Sequence, residues 1–173
     1  MDFLIIFVLL VIALPTAYAA VIGAPLAPTN KELLGEIIKT ADLKNGDVFY
    51  ELGTGTGRVI TAFAENEKIK CIGFELSPLY YFITLFNLKI KNRKNYKLYC
   101  RNFFNADLSE ANAIFCFLMP KAMRRIKEKF LKELKPETKI VSYAFKIKDW
   151  EPYAAIKKQG KLPVYFYKIR GLL

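Results

Sequence analysis

The chain has 173 residues, 53% hydrophobic and 25% charged, with 27 Lys plus Arg against 16 Asp plus Glu for a formal net charge of +11. This composition excludes a disordered chain, and the length suits one domain with a short appendage. There is no histidine, which excludes a Ser-His-Asp triad, histidine acid–base catalysis and histidine metal sites. Cys71, Cys100 and Cys116 are too few and too scattered for a zinc site or a disulfide scaffold. They read as reduced thiols buried on strands, and no metal is expected.

Phe3–Leu14 is unbroken apolar sequence, interrupted by Pro15 and Thr16 and resumed at Ala17–Ile22. Twenty residues span about 30 Å as a helix, the thickness of a bilayer core. Asp2 is the one charge in residues 1–30, and Lys31 opens the basic remainder. That asymmetry predicts a transmembrane helix over residues 1–22 with the following domain on the cytoplasmic side, a single-pass membrane protein. The rivals are a cleaved signal peptide ending near Ala17-Tyr18-Ala19, with no Lys or Arg in its n-region, and a non-spanning hydrophobic arm. Residues 23–29, with Pro25 and Pro28, read as an extended linker, and residues 30–173 as the folded domain.

Asn30 is placed to cap a helix carrying Leu33, Leu34, Ile37, Ile38 and Ala41. Asn45-Gly46 makes a turn. Asp47–Leu52 is a short buried strand, Arg58–Glu65 a helix and Ile69–Phe74 a second strand ended by Glu75. Ser77-Pro78 starts a helix that runs to about Lys91. Tyr96–Cys100, Ala113–Leu118 and Lys139–Tyr143 are the third to fifth strands, with a basic amphipathic helix over Pro120–Leu134 between the last two. Val164–Ile169 is β-rich, and Gln159-Gly160 suits a hairpin turn. Alternating strands and helices predict an α/β domain: a mostly parallel sheet with helices on both faces and a C-terminal antiparallel hairpin.

The chemistry concentrates in Tyr50-Glu51-Leu52-Gly53-Thr54-Gly55-Thr56-Gly57-Arg58. Glycines 53, 55 and 57 let the chain turn at the end of the first strand and let a ligand approach the backbone. The following helix points its amides at that ligand. Glu75, at the end of the second strand, is placed to accept ribose hydroxyls. A dinucleotide fingerprint needs glycine where Arg58 stands. G-x-G-x-G with a preceding acid instead suits S-adenosylmethionine, a zwitterion without phosphate, with Glu51 toward its ammonium. After the third strand, Asn102 is placed to hydrogen-bond the adenine amine and Phe103 to pack on its face.

With these residues in place, the sequence resembles the seven-β-strand (class I) protein-lysine methyltransferases, specifically the ATP synthase c-subunit lysine methyltransferase family and the small archaeal broad-specificity lysine methyltransferases. The matching segments are Ala24–Thr29, Tyr50–Arg58, Gly73–Leu76, Asn102–Phe104, Asp107–Ala111 and Leu131–Trp150. The resemblance implies a Rossmann-like sheet lacking the usual helix between the third and fourth strands. It also implies a Pro-Thr loop, here Pro28 and Thr29, over the cofactor. Thr56 stands where the family often has Asp.

Methyl transfer from a sulfonium is an in-line displacement that needs alignment and exclusion of water more than a general acid. A lysine acceptor must also lose its proton, which an apolar channel favours. Channel candidates are Phe117, Leu118, Met119 and Pro120 after the fourth strand, and Tyr143, Phe145 and Trp150 around and after the fifth. No obligatory catalytic base is assigned. The expected activity is methyl transfer to lysine side chains of a protein at the membrane. The alternatives are methylation of RNA or a small molecule, motivated by Lys89, Lys91, Arg93, Lys94, Lys97 and Arg101, and a non-catalytic membrane scaffold of the same fold.

Overall fold

Asn30 starts the first helix of the α/β domain: its Oδ1 accepts from the Glu32 N–H at 2.9 Å and caps α1, Lys31–Ala41. The structure is a computed structural model that describes residues 27–170 together with Phe3, Ile5, Ile6 and Leu14. After α1 come β1 (Val48–Leu52), α2 (Arg58–Phe63), β2 (Lys70–Glu75), α3 (Pro78–Ile90) and β3 (Tyr96–Cys100). A single 3₁₀ turn, Phe103–Asn105, leads toward β4 (Ala113–Cys116), where an abbreviated connection is expected. Then follow α4 (Pro120–Glu133), β5 (Lys139–Tyr143), β6 (Ala154–Ile156) and β7 (Val164–Lys168).

The seven strands form one sheet in the order β3-β2-β1-β4-β5-β7-β6. The first five are parallel, and β7 enters antiparallel between β5 and β6. The mixed Rossmann-like sheet with a C-terminal hairpin is thus as expected. The chain crosses from β3 over to β4 beside β1, so the sheet reverses direction of growth between β1 and β4. Their carboxyl ends open the crevice where such sheets take ligands.

Period-two alternation divides the core. On one face Phe49, Phe115, Val141 and Phe166 pack against α1, α2 and Leu88 of α3. On the other, Leu52, Phe74, Ile114 and Ile140 pack against Met123, Ile126 and Phe130 of α4. Each large buried ring contributes about 1.5–3 kcal/mol of burial. Cys71 and Cys116 are buried as expected, whereas Cys100 is exposed, because β3 is an edge strand.

The expectation of an N-terminal transmembrane helix is corrected. Among the described residues no helix is long and apolar enough to cross a membrane. The segment in question, residues 1–22, lies outside the described residues apart from Phe3, Ile5, Ile6 and Leu14. The longest described helix, α4, has 14 residues, about 21 Å against a hydrocarbon core of ~30 Å, and its outer face is basic. The single-pass membrane location with a cytoplasmic catalytic domain rested on that helix and is withdrawn with it.

Candidate active site

The glycine loop leaves β1 through three residues in the left-handed region, Gly53 (φ 82°), Gly55 (φ 54°) and Gly57 (φ 75°). Two of these glycines serve different purposes. A Cβ on Gly55 would meet nothing within 4 Å, so its Cα faces open space. A Cβ on Gly57 would stand 2.7 Å from Thr84 Cγ2 and 3.0 Å from Thr84 Cα, so here glycine permits close packing against α3. Thr84 donates from its hydroxyl to the Gly55 carbonyl at 2.8 Å, and Asn87 Nδ2 donates to the Thr56 carbonyl at 2.8 Å. Helix α3 is therefore clamped to the loop.

Two carboxylates flank it. Glu75 Oε2 accepts from the Gly55 N–H and Oε1 from the Ser77 N–H, each at 2.8 Å. Burial raises its pKa, opposed by the amides of Ser77, Gly55 and Leu76. Glu51 lies deeper: its Oε2 accepts from the Ile60 N–H at 2.7 Å. Burial pushes its carboxyl well above the usual range, the Ile60 amide opposes this, and the Glu75 charge adds to it. These are carboxyls whose charged form burial disfavours, so a cationic or hydroxyl-bearing ligand that favours that form gains from meeting them.

A cleft of about 1010 Å³, partly continuous with solvent, opens over the loop. Of the residues expected to hold the cofactor, Pro28, Thr29, Glu51, Gly53, Gly55, Glu75, Asn102 and Phe103 all line it. Gly57 does not; it acts one step behind, against Thr84. Asn102 Oδ1 accepts from the Phe104 N–H at 3.0 Å and caps the 3₁₀ turn that presents Phe103.

The channel candidates divide. Phe117 lines the cleft. Tyr143 is buried behind it, edge-on at 4.9 Å between ring centroids, and Phe145 lies 6.5 Å from Phe117. The others are elsewhere. Leu118 is buried in the core beneath α4, Met119 is exposed, and Pro120 is the first residue of α4. Trp150 packs edge-on against Tyr167 and lines a separate cavity with Leu131 and Ile169.

Several functional residues carry little signal in the sequence. Arg58 Nη1 donates to the Thr29 carbonyl at 2.5 Å, and the Asn30 N–H donates to the Tyr143 hydroxyl at 3.3 Å. Together they hold the 27–30 strap across the cleft. Leu76 and Tyr80 line the cleft as well. Tyr80 has no signal of its own, being one aromatic among many on α3. Arg58 has one: it stands where a dinucleotide fold needs glycine, so a side chain there has a task.

The residues present fit S-adenosylmethionine. The open space at Gly55 admits a ligand against the backbone, and Glu75 retains lone pairs for a diol. Phe103 and Leu76 supply apolar surface for a base. No group of His, Cys, Asp or Glu able to hold a metal ion occurs among the described residues.

Comparison with known proteins agrees. The ANTKMT methyltransferase domain matches residues 51–154. The chain is 33% identical over 152 residues to a protein-lysine N-methyltransferase of Saccharolobus islandicus (strain REY15A), covering 84% of this chain and 93% of that protein. It is 24% identical over 124 residues to the adenine nucleotide translocase lysine N-methyltransferase of Mus musculus, covering 70% of this chain and 53% of that protein, so it spans about half of that relative. Among solved structures, an RNA methyltransferase from Salinibacter ruber in complex with S-adenosyl-L-homocysteine superposes with a TM-score of 0.80 at 26% identity, covering 85% of this chain and 96% of that one. The chain belongs to the ANTKMT methyltransferase family, within the S-adenosylmethionine-dependent protein-lysine methyltransferases of class I fold.

Proposed function

We propose that the cleft performs N-methylation of lysine side chains in a protein acceptor. The observation that carries this reading is the apolar wall formed by Phe117 at the mouth beside the glycine loop, backed by Tyr143. When bound, S-adenosylmethionine supplies an electrophilic methyl on a sulfonium. Glu51 would face its ammonium, Glu75 would accept from its ribose hydroxyls, and Asn102 and Phe103 would hold its adenine. The strap of Pro28 and Thr29, pinned by Arg58, excludes water from above. Beside Phe117 a lysine ammonium loses hydration, which shifts it toward the neutral amine that can attack. The ring face also stabilises the methylammonium product.

The test is transfer from isotope-labelled S-adenosylmethionine with the full-length protein and a lysate of its source cells, followed by acid hydrolysis of labelled bands. Label recovered as methyl-lysine is the expected result; label confined to other residues or molecules overturns the reading. Methylation of RNA is a second reading, favoured by the similarity to the Salinibacter protein and by the basic tract from Lys89 to Arg101. It predicts label in the nucleic-acid fraction instead.

A further inference from the structure

Helix α3 carries more apolar surface than its packing uses. Its sequence, PLYYFITLFNLKI, is apolar on every side, yet only Thr84 and Leu88 are fully buried. Leu79, Phe82, Phe86 and Ile90 recur at spacings of three, four and four residues, so they form one ridge about 16 Å long. They remain 42%, 64%, 63% and 62% exposed. A helix apolar all round is normally enclosed, and a contiguous exposed ridge marks an interaction surface.

Cations cluster at the C-terminal end of the ridge, where Arg93 pairs with Glu65 at 3.2 Å. Residues 76–106 contain no Asp or Glu. Lys89, Lys91 and Lys94 are exposed, and among the described residues none of the three forms an ion pair. Elsewhere lysines pair widely, including Lys44 with Asp42 and Lys168 with Glu137. These three lysines therefore have no counter-charge within the described residues, and a partner can provide it.

The ridge is also referenced to the cleft. Tyr80, on the first turn of α3, lines it. The Thr84 and Asn87 hydrogen bonds fix the helix to the Gly55–Thr56 backbone. Whatever seats on α3 is held in a fixed relation to the glycine loop and the cleft. Phosphates would use the lysines but leave the aliphatic and aromatic ridge uncovered, so a protein face accounts for both features.

We propose that the outer face of α3 docks the methyl-accepting protein, and that it selects an apolar helix or strip bordered by Asp and Glu. This rests on the lysine reading above and names its substrate class.

The test uses the full-length protein and three synthetic peptides, each with one lysine in the same local sequence. The first is an amphipathic helix with a Leu/Phe face bordered by Glu. The second keeps the face and replaces Glu by Gln. The third is an unstructured Gly/Ser chain. The first is expected to exceed the second by about tenfold in kcat/KM at low salt, with the advantage fading as salt is raised. The double variant Phe82→Gln/Phe86→Gln, solvent-facing and checked for fold by circular dichroism, raises KM for the first peptide about tenfold. It leaves the third peptide and the cofactor Kd unchanged. Lys91→Gln/Lys94→Gln flattens the salt dependence. Equal treatment of the first two peptides, or a double variant that behaves as wild type, overturns the proposal. So does a wild-type/variant difference confined to binding of phosphatidylcholine:phosphatidylglycerol vesicles or of RNA. Methylation of the third peptide alone would leave the lysine activity standing and remove only the docking surface. Transfer to no peptide and no lysate protein would remove both.

Discussion

Glu51 shows how a site can work against its own fold. Its carboxyl is raised by burial, so above the ordinary glutamate value of 4.5 the folded state holds a proton that the unfolded state has lost. By linkage, its contribution to stability then falls as pH rises from about 4.5 through the folded pKa. Glu75 contributes with the same sign. Glu51→Gln is expected to raise the thermal midpoint of the free protein at pH 7.5 by a few degrees, flatten that slope, and weaken cofactor binding at least tenfold. Differential scanning fluorimetry across pH with cofactor titration checks all three. Glu75→Ala and Gly55→Arg are each expected to abolish cofactor binding while circular dichroism stays native, the first by removing the diol acceptor and the second by filling the space beyond Gly55. Retained affinity in both would place the cofactor elsewhere. Gly57→Ala is different. Its methyl meets Thr84 at 2.7 Å in a left-handed backbone. It should cost about 2–3 kcal/mol in chemical denaturation.

At the scale of elements, the strap over residues 27–30 hangs from two attachments, Arg58 to the Thr29 carbonyl and the Tyr143 hydroxyl to the Asn30 amide. Arg58→Met keeps the stem and loses the stronger attachment. The expected outcome is a roughly tenfold higher cofactor Kd with little change in melting temperature, measured by calorimetry. Tyr143→Phe, losing only a 3.3 Å bond, is expected to change Kd less than threefold. The strands and main helices are legible in the sequence because apolar runs end at Gly, Asn or Pro, and because Asn30 and Ser77-Pro78 announce helix starts. β6 has three residues, too few for any periodic pattern. Of the channel candidates only Phe117 lines the cleft, for a physical reason. Position at the ends of β4 and β5 can be read from the apolar runs, but the expected set ignores parity. Phe115 and Phe117 share one face, while Leu118 shares the other with Ile114 and Cys116. Trp150 lies beyond a loop whose direction no periodicity encodes.

Over the whole molecule, the sheet separates two cores that answer to different demands. The α4 side, with Met123, Ile126 and Phe130, contributes Phe103 to the cleft, whereas the glycine loop itself runs into α2 and is clamped by α3. Phe130→Ala is expected to cost about 3–5 kcal/mol in global stability while cofactor affinity per folded molecule is kept, measured by denaturant titration and calorimetry at low temperature. That Gly53, Gly55 and Glu75 line one cleft is legible because a tight turn after β1 must be written in glycines and an acid at the end of the adjacent β2 lies beside it. The clamp of α3 onto that loop is not, since Thr84 and Asn87 are ordinary helix residues until the tertiary fold brings them to Gly55 and Thr56.

Cys100 closes the exposed edge strand beside Glu75, its register partner on β2. Burial pushes Cys71 and Cys116 up to about 12, which leaves them inert to alkylation near neutrality. Partial burial and then the Glu75 charge raise Cys100 more modestly. Iodoacetamide labelling of Cys100 at fixed pH is therefore expected to respond to the charge on Glu75 as well as to burial. Glu75→Gln should speed the labelling, and cofactor titrated into wild type should change its rate along the binding isotherm, with no engineered probe.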